Sequence, residues 1–572
     1  MATTLPGTDI VLVGVGWTGG IVAAELTKKG YQVVGLERGK PRTTEDYLMV
    51  HDELRYAQRN EMMQDLSKET WTVRHDPDQT ALPYRQHGSF LIGDGVGGSG
   101  EHWNGLTYRF MPYDFEIRSK TIERYGESKI PADMPLQDWG ITYDEMVPYF
   151  EKFEQMAGIS GETNPIKEMP QVTFPTPPLK ETPAMVMFRE AATNLGYHPY
   201  VAPAATLSET YTNPDGITRG ACQYCGFCER FGCEYGAKAS PTVTVLPVAE
   251  QTGNFEVRPY CNVRRILHEN GKATGVLYVD TTTGEEFIQP AKVVVLSAYI
   301  LNNVKLLLLS KIGTPYNPET QTGVIGKNYC YQMTSAGSTG FFEGKEFNLY
   351  AGTGALAGVL DDFNGDNFDH TDLDFLHGGN IALGHYGKRP IANNSTPKGT
   401  PSWGAEFKDA SIKWANSTLG VGSQGSVLPH KHNYLDLDPT YTDQFGDPLL
   451  RITFNYRENE RNQQKFIREI TTKILKEMGA TEVTTPGDQG DWDITKYQTT
   501  HNTGGAIMGA DPKTSALNNY LQMWDCENLF IPGANAFAHN SGMNPTGTVG
   551  ALAYRAAEGI EKYLQNGGGS LV

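Results

Sequence analysis

The sequence predicts an α/β fold in which a Rossmann-type dinucleotide-binding domain is assembled from separated segments and joined to an α+β domain built around a sheet. Three observations lead to this prediction. A glycine-rich turn at residues 14–19 lies between a strand-like and a helix-like segment, glycine-dense sequence returns at residues 88–105 and after residue 501, and residues 326–493 are rich in aromatic residues and turn signals. The chain of 572 residues is also too long for one hydrophobic core.

The first 37 residues have the pattern of a strand, a turn, a helix and a second strand. Gly14, Gly16 and Gly19 form G-x-G-x-x-G at the turn, where glycine permits a tight bend, close approach of a pyrophosphate and close helix packing. Glu37 follows the second strand, where a carboxylate accepts ribose hydroxyls. The alternative is a plain tight turn, and the motif alone does not choose between NAD and FAD.

Further elements follow from hydrophobic periodicity. Strands are predicted at 254–267, 275–280 and 292–296, before a leucine-rich helix. Helices are predicted at 143–157 and 548–564, and residues 566–572 read as a flexible tail.

Composition excludes some function classes. Acidic residues outnumber basic ones by 66 to 48, giving a net charge of −18, which argues against nucleic acid as a partner. No run of eighteen apolar residues predicts a membrane span, so we expect membrane contact only through partners. The N-terminus lacks the pattern of a signal peptide. We therefore expect a cytoplasmic protein or one exported with a partner that carries the signal.

The cysteines are clustered. Four of the seven lie within twelve residues: Cys222, Cys225, Cys228 and Cys233. Closely spaced thiolates on one loop favour an iron–sulfur cluster, whereas zinc usually takes two CxxC pairs separated by a dozen or more residues. Disulfides or inert thiols are the third alternative. The remaining three, Cys261, Cys330 and Cys526, are predicted to be buried thiols.

Three segments carry a family resemblance. Residues 93–105 (GDGVGGSGEHWNG), 501–509 (HNTGGAIMG) and 530–548 (FIPGANAFAHNSGMNPTGT), together with the N-terminal motif, resemble the glucose–methanol–choline flavoproteins. The resemblance implies FAD as the cofactor. It implies a flavin site lined by Gly97, Gly98, Ser99, His102, Trp103, Asn104, Gly533, Ala534, Asn544, Pro545 and Thr546. It also implies an FAD-binding domain at 1–120, 215–325 (with the cysteine loop at 220–240) and 495–565, and a substrate domain and cover at 121–214 and 326–494.

The same resemblance assigns catalytic roles. His501 is expected to take the hydroxyl proton as hydride leaves carbon, with Asn544 as its partner, because imidazole is suited to general-base work. His539 is the second candidate for the base. His102 stands in a His-Trp pair through which some members of the family bind flavin covalently; the alternative is a histidine that only packs against the ring.

A membrane-associated bacterial branch of the family oxidises gluconate, sorbitol, fructose or glucose. The resemblance of this sequence to that branch implies a [3Fe-4S] cluster, which needs three of the four cysteines, and electron transfer to a multihaem cytochrome c subunit. It also implies a small subunit with an export signal and a location on the periplasmic face of the inner membrane. The cysteine run most resembles that of the gluconate-oxidising members, which form 2-keto-D-gluconate.

Other functions remain open at this stage. One is a soluble oxidase that returns electrons to oxygen, and another is a flavin-binding scaffold without turnover. A sugar acid would need a local cation in the pocket, for which Lys388 and Arg389 are candidates.

Overall fold

The computed structural model describes residues 2–48, 51–334, 336–387, 389, 391 and 395–572. Its α-helices span Trp17–Thr27, Pro112–Phe115, Ile117–Tyr125, Tyr143–Ala157, Pro183–Asn194, Val245–Gln251, Ile300–Ser310, Ala405–Trp414, Glu458–Glu477 and Thr546–Gln565. Short 3₁₀ turns lie at Thr44–Tyr47, Gly98–Gly100, Glu127–Lys129, Pro241–Val243 and Ala534–Ala536, and a π-helical turn lies at Leu54–Gln58. Among the described residues no helix is long and apolar enough to cross a bilayer.

The largest sheet has nine strands drawn from both ends and the middle of the chain. Its main path runs Cys261–Glu269, Lys272–Asp280, Glu286–Leu296, Thr8–Val13, Val33–Leu36, Phe255–Arg258. Thr3–Thr4 and Cys526–Phe530 also pair in parallel with Glu286–Leu296, and Gln522–Met523 pairs with Cys526–Phe530. The central parallel strands Thr8–Val13, Val33–Leu36 and Cys526–Phe530 are mostly buried, as expected for a sheet covered on both faces, whereas Phe255–Arg258 and Thr3–Thr4 are more exposed. This confirms the predicted α/β fold with a discontinuous dinucleotide-binding part.

Three smaller sheets complete the part of the chain that the structure describes. The antiparallel six-stranded sheet has the order Glu482–Thr484, Ser338–Phe341, Thr418–Gly425, Gly379–Gly384, Ala357–Leu360, Tyr200–Val201. A four-stranded sheet has the order Tyr434–Thr442, Pro448–Thr453, Thr72–Arg74, Leu82–Pro83, and Tyr211–Thr212 pairs with Thr218–Arg219. The four-stranded sheet joins residues 72–83 to residues 434–453, which the sequence places in different domains. The domain limits therefore remain a prediction.

Two local predictions differ from the structure. Residues 254–267, expected to form one strand, form two, because Pro259 and Tyr260 intervene and Tyr260 has a left-handed φ of 62°. The first strand pairs in parallel with Val33–Leu36, whereas the second starts the antiparallel edge. The C-terminal tail, expected to be flexible, is hydrogen-bonded: Gln522 Nε2 donates to Gly569 O at 2.9 Å and Leu571 N donates to Gln522 Oε1 at 2.9 Å.

Candidate active site

Four parallel strands of the large sheet end at the same edge, and each delivers a functional segment there. Thr8–Val13 leads into Gly14, Val33–Leu36 into Glu37, Glu286–Leu296 into Ser297, and Cys526–Phe530 into the turn at Gly533. In doubly wound folds, ligands bind in the crevice beyond the carboxyl ends of the strands. These segments line one cavity of about 810 Å³, which extends to His501 and Asn544.

The glycines of the first turn are required by space. Gly14 has φ 95°, and a Cβ there would lie 2.7 Å from Ser297 O. A Cβ on Gly19 would lie 2.3 Å from Gly14 O, so Gly19 permits the close packing of helix and turn. Gly16 faces the second glycine loop, with its Cβ position 3.7 Å from Gly97 O, and it lines the cavity. Gly19 does not line the cavity, which fits a packing role.

The second glycine loop is held against the first. Gly97 N donates to Val15 O at 2.8 Å, and Gly97 has a left-handed φ of 91°. Gly97 shapes the loop without lining the cavity, whereas Gly98, Ser99, His102, Trp103 and Asn104 line it. The Trp103 indole is fixed by a hydrogen bond from Nε1 to Ala239 O at 2.8 Å. Gly533, Ala534, Asn544, Pro545 and Thr546 close the cavity from the C-terminal side.

Glu37 is buried at the end of its strand. Its carboxylate accepts from Val15 N and Gly39 N, both at 3.1 Å, and burial raises its pKa. The carboxylate lines the cavity beside the first turn, the position predicted for a ribose acceptor.

The tautomer of His501 is fixed by Gln332, a residue that the sequence did not point to. Gln332 Nε2 donates to Ser541 O and Met543 O, both at 3.2 Å, so Gln332 Oε1 faces His501 Nδ1 and accepts its hydrogen. Because Nδ1 carries the proton, Nε2 is left with the lone pair of a base. Burial lowers the pKa of His501 to about 3, so the ring is neutral at physiological pH.

Asn544 and His501 both line the cavity. Asn544 is 2% exposed, and its Oδ1 atom has no hydrogen-bond partner within the described chain. A buried acceptor without a partner costs about 1–3 kcal/mol, so this oxygen suits a ligand donor. Asn540 Nδ2 donates to His501 O at 2.8 Å and holds the backbone of the histidine.

His539, the second candidate for the base, lies outside this cavity. It is fully buried, its Nδ1 accepts from Trp139 Nε1 at 3.3 Å, and its Nε2 donates to Asp114 Oδ1 at 3.0 Å. His377 Nε2 donates to the same Asp114 oxygen at 2.7 Å. Both nitrogens of His539 are thus engaged within the protein, which fits a structural role.

His102 lies in the cavity with one nitrogen free. It is 6% exposed, Nε2 is buried without a protein partner, and burial, aided by the Lys238 charge, lowers its pKa to about 3. A neutral imidazole nitrogen is a competent nucleophile, so the geometry suits either covalent attachment or close packing of a ring.

The four clustered cysteines line a second, small cavity together with Lys238. None of them forms a disulfide in the described chain. Tyr224 N donates to Cys222 Sγ at 3.3 Å, and Cys228 Sγ lies 3.3 Å from Thr353 Oγ1. The other cysteines, Cys261, Cys330 and Cys526, are buried. Four cysteines that line one pocket, one of them accepting a backbone hydrogen bond, fit an iron–sulfur cluster.

Lys238 joins the two cavities. Its ammonium donates to the carbonyl oxygens of Glu101 and Trp103 in the flavin loop, at 3.0 and 2.8 Å. It also donates to those of Cys228 and Phe231 in the cysteine run, at 2.9 and 3.0 Å. The site of the cysteines and the site of the flavin loop are therefore neighbours.

Of the two cations suggested for a sugar acid, Lys388 lies outside the described residues. Arg389 NH2 lies 3.5 Å from Glu229 Oε2, and Arg389 does not line the main cavity.

The comparisons with known proteins agree with this geometry. The chain is 43% identical to the gluconate 2-dehydrogenase flavoprotein of Pantoea cypripedii, over 99% of this chain and 96% of that protein. It is 25% identical to the fructose dehydrogenase large subunit of Gluconobacter japonicus, over 98% of each. The structure of pyridoxine 4-oxidase from Mesorbium loti has the same fold, with a TM-score of 0.64 at 16% identity over 97% of this chain and 99% of that one.

Two family models, both described as GMC oxidoreductase, match residues 136–334 and 429–553. These matches cover more than half of the chain and contain His501 and Asn544. The chain is an FAD-dependent alcohol dehydrogenase that belongs to the glucose–methanol–choline oxidoreductase family.

Proposed function

We propose that this enzyme oxidises the hydroxyl carbon of a sugar acid, D-gluconate to 2-keto-D-gluconate, and exports the electrons one at a time through an iron–sulfur cluster. The observation that carries the proposal is the contact between the flavin loop and the cysteine run through Lys238. An oxidase needs no second redox centre, because oxygen collects both electrons at the flavin. A relay centre beside the flavin site favours a dehydrogenase.

FAD, when bound, supplies the hydride acceptor. The glycine turns, Glu37 and the segment at 533–546 would hold it. His501 Nε2 takes the hydroxyl proton, while Gln332 keeps the proton of the ring on Nδ1. The hydroxyl would donate its single hydrogen to His501 Nε2, and the side chain of Asn544, which lines the same cavity, would help to orient the substrate. His102 Nε2 is proposed as the covalent attachment point.

We propose a [3Fe-4S] cluster held by three of Cys222, Cys225, Cys228 and Cys233. The electrons would pass to a multihaem cytochrome c subunit, because this chain has no haem attachment motif: Gly226 and Glu229, not histidines, follow its two CxxC pairs. A small subunit with an export signal would place the complex on the periplasmic face of the inner membrane. Support comes from the 43% identical gluconate 2-dehydrogenase flavoprotein and from a relative named as the large subunit of its enzyme. Sorbitol, fructose and glucose are the alternative substrates, a soluble oxidase is the alternative reaction, and the cytoplasm is the alternative location.

The test combines metal analysis with a substrate panel. Protein purified without oxygen should contain about three iron atoms per chain with acid-labile sulfide. Gluconate should reduce an artificial acceptor faster than sorbitol, fructose or glucose do, with little oxygen consumed. Stoichiometric zinc without sulfide would overturn the proposed cluster. Hydrogen peroxide formed at the rate of substrate oxidation would overturn the proposal in favour of an oxidase.

A further inference from the structure

Lys238 is a buried cation without an anionic side chain beside it. It is 1% exposed, and its four hydrogen-bond acceptors are all backbone carbonyl oxygens. Among the described residues, no carboxylate oxygen lies within 4.0 Å of Lys238 Nζ, the distance that defines an ion pair. Carbonyl dipoles solvate an ammonium group, but a buried charge without a counter-ion still costs several kcal/mol.

The carboxylate of Glu101, whose backbone oxygen accepts from the Lys238 ammonium, does not serve this purpose. Glu101 turns its side chain away to accept from Thr242 N at 3.2 Å, Thr242 Oγ1 at 2.9 Å and Tyr47 OH at 3.2 Å. Only the backbone oxygen of Glu101 contacts the ammonium. A counter-ion for Lys238 must therefore come from its other neighbours.

Glu234 lines the same small cavity, but its carboxylate lies 3.1 Å from His51 Nε2 and not within 4.0 Å of the ammonium. The remaining neighbours are the cysteines. Lys238 lines the same small cavity as all four sulfurs, and two of its hydrogen bonds go to backbone oxygens within the cysteine run. Thiolates that bind iron carry negative charge, and one-electron reduction of such a cluster adds one more negative charge. A fixed cation beside the sulfurs stabilises the reduced state more than the oxidised state.

We propose that the Lys238 ammonium is the buried counter-cation of an anionic iron–sulfur cluster held by the cysteine run, and that it makes the cluster easier to reduce. This inference rests on the proposed function. The same four hydrogen bonds fix the cysteine run against the flavin loop, so Lys238 acts as a positioning residue for the electron-transfer step.

The experiment compares two buried lysines in the purified, iron-containing enzyme. Lys238→Met removes the charge and keeps the shape of the side chain. Lys327→Met is the matched control, because Lys327 is also buried, donates to Thr514 O at 3.1 Å and Gln137 Oε1 at 3.3 Å, and does not line the cysteine cavity. The readouts are the iron and sulfide content and a redox titration of the cluster signal in electron paramagnetic resonance.

In Lys238→Met the reduction equilibrium of the cluster should shift about tenfold or more toward the oxidised form, about 59 mV more negative for each tenfold. Lys238→Gln should shift it in the same direction, and Lys327→Met should leave it at the wild-type value. An unshifted equilibrium in iron-loaded Lys238→Met overturns the inference. A shift that Lys238→Gln does not share assigns the effect to lost hydrogen bonds and overturns the counter-cation.

Two further outcomes are also decisive. If neither Lys238 variant accumulates as a folded protein while Lys327→Met does, Lys238 serves the fold and the role in reduction is wrong. If the wild-type enzyme holds no iron and sulfide, the proposed function is wrong, and the inference about Lys238 is wrong with it. Wild-type iron with an unshifted variant removes the inference alone and leaves the proposed function standing.

Discussion

Replacing Gln332 by methionine should slow flavin reduction without removing the base. The change deletes the acceptor for His501 Nδ1–H and the two donors to Ser541 O and Met543 O, while the side chain keeps a similar volume. In the tautomer whose lone pair is on Nε2, the buried Nδ1–H of His501 then has no acceptor. That cost is about 1–3 kcal/mol, which corresponds to about a 5- to 150-fold loss of the reactive tautomer.

The assay is stopped-flow reduction of the flavin under anaerobic conditions with saturating substrate. Flavin content and the binding constant for substrate should change little, because Gln332 does not line the cavity. Gln463→Met is the control: Gln463 is equally buried, donates to Ser426 Oγ at 2.9 Å and also does not line the cavity. Reduction at the wild-type rate in Gln332→Met, with the control unaffected, would refute the assignment of the tautomer.

Three other predictions concern the base, the attachment of the flavin and one buried histidine. His501→Ala should lower the rate of flavin reduction by about 10²–10⁴-fold with the flavin retained, and Asn544→Ala should lower it less. The loss in the double variant should be smaller than the sum of the two single losses in free energy. An additive result in stopped-flow measurements would show that the two residues act independently. Acid denaturation should leave the yellow chromophore on the wild-type chain and release it from His102→Ala. Release of free flavin from the wild type would contradict a covalent bond between His102 and the flavin. Burial lowers the pKa of His370 to about 4, below its unfolded value near 6.5, so its contribution to stability is complete above pH 6.5 and is lost as pH falls toward 4. Between pH 7 and pH 5, the free energy of unfolding measured with urea should therefore fall by about 2 kcal/mol less in His370→Gln than in the wild type. An equal fall in both proteins would exclude His370 as the cause.

Local sequence signals were sufficient for the residues whose role depends on the backbone. Gly14 and Glu37 occupy fixed places relative to one strand–turn–helix unit, so spacing along the chain predicts their positions in space. The strand break at Tyr260 had a local signal in Pro259, which lacks the N–H that a continuous strand needs, but the apolar residues at 255, 257, 261 and 263 led to the prediction of a single strand. At this point the chain changes its pairing partner: Phe255–Arg258 pairs with Val33–Leu36, and Cys261–Glu269 pairs with Lys272–Asp280.

The missed residues act through contacts between distant segments. Gln332 lies 169 residues from His501, and Lys238 lies 137 residues from Glu101. Gln332 stands in no motif, Lys238 follows the last cysteine of the run, and a glutamine or lysine in isolation reads as a surface residue. Their roles appear only once the fold shows what surrounds the amide and the ammonium group.

The nine-stranded sheet also limits when the cofactor site can be completed during synthesis of the protein. The strand Glu286–Leu296 pairs in parallel with Thr8–Val13, from the start of the chain, and with Cys526–Phe530, near its end. A nascent chain of 500 residues would have the first glycine turn but would lack His501, Gly533 and Asn544. The ribosome must therefore expose the chain beyond Asn544 before the segments that line the cavity can close together on one flavin.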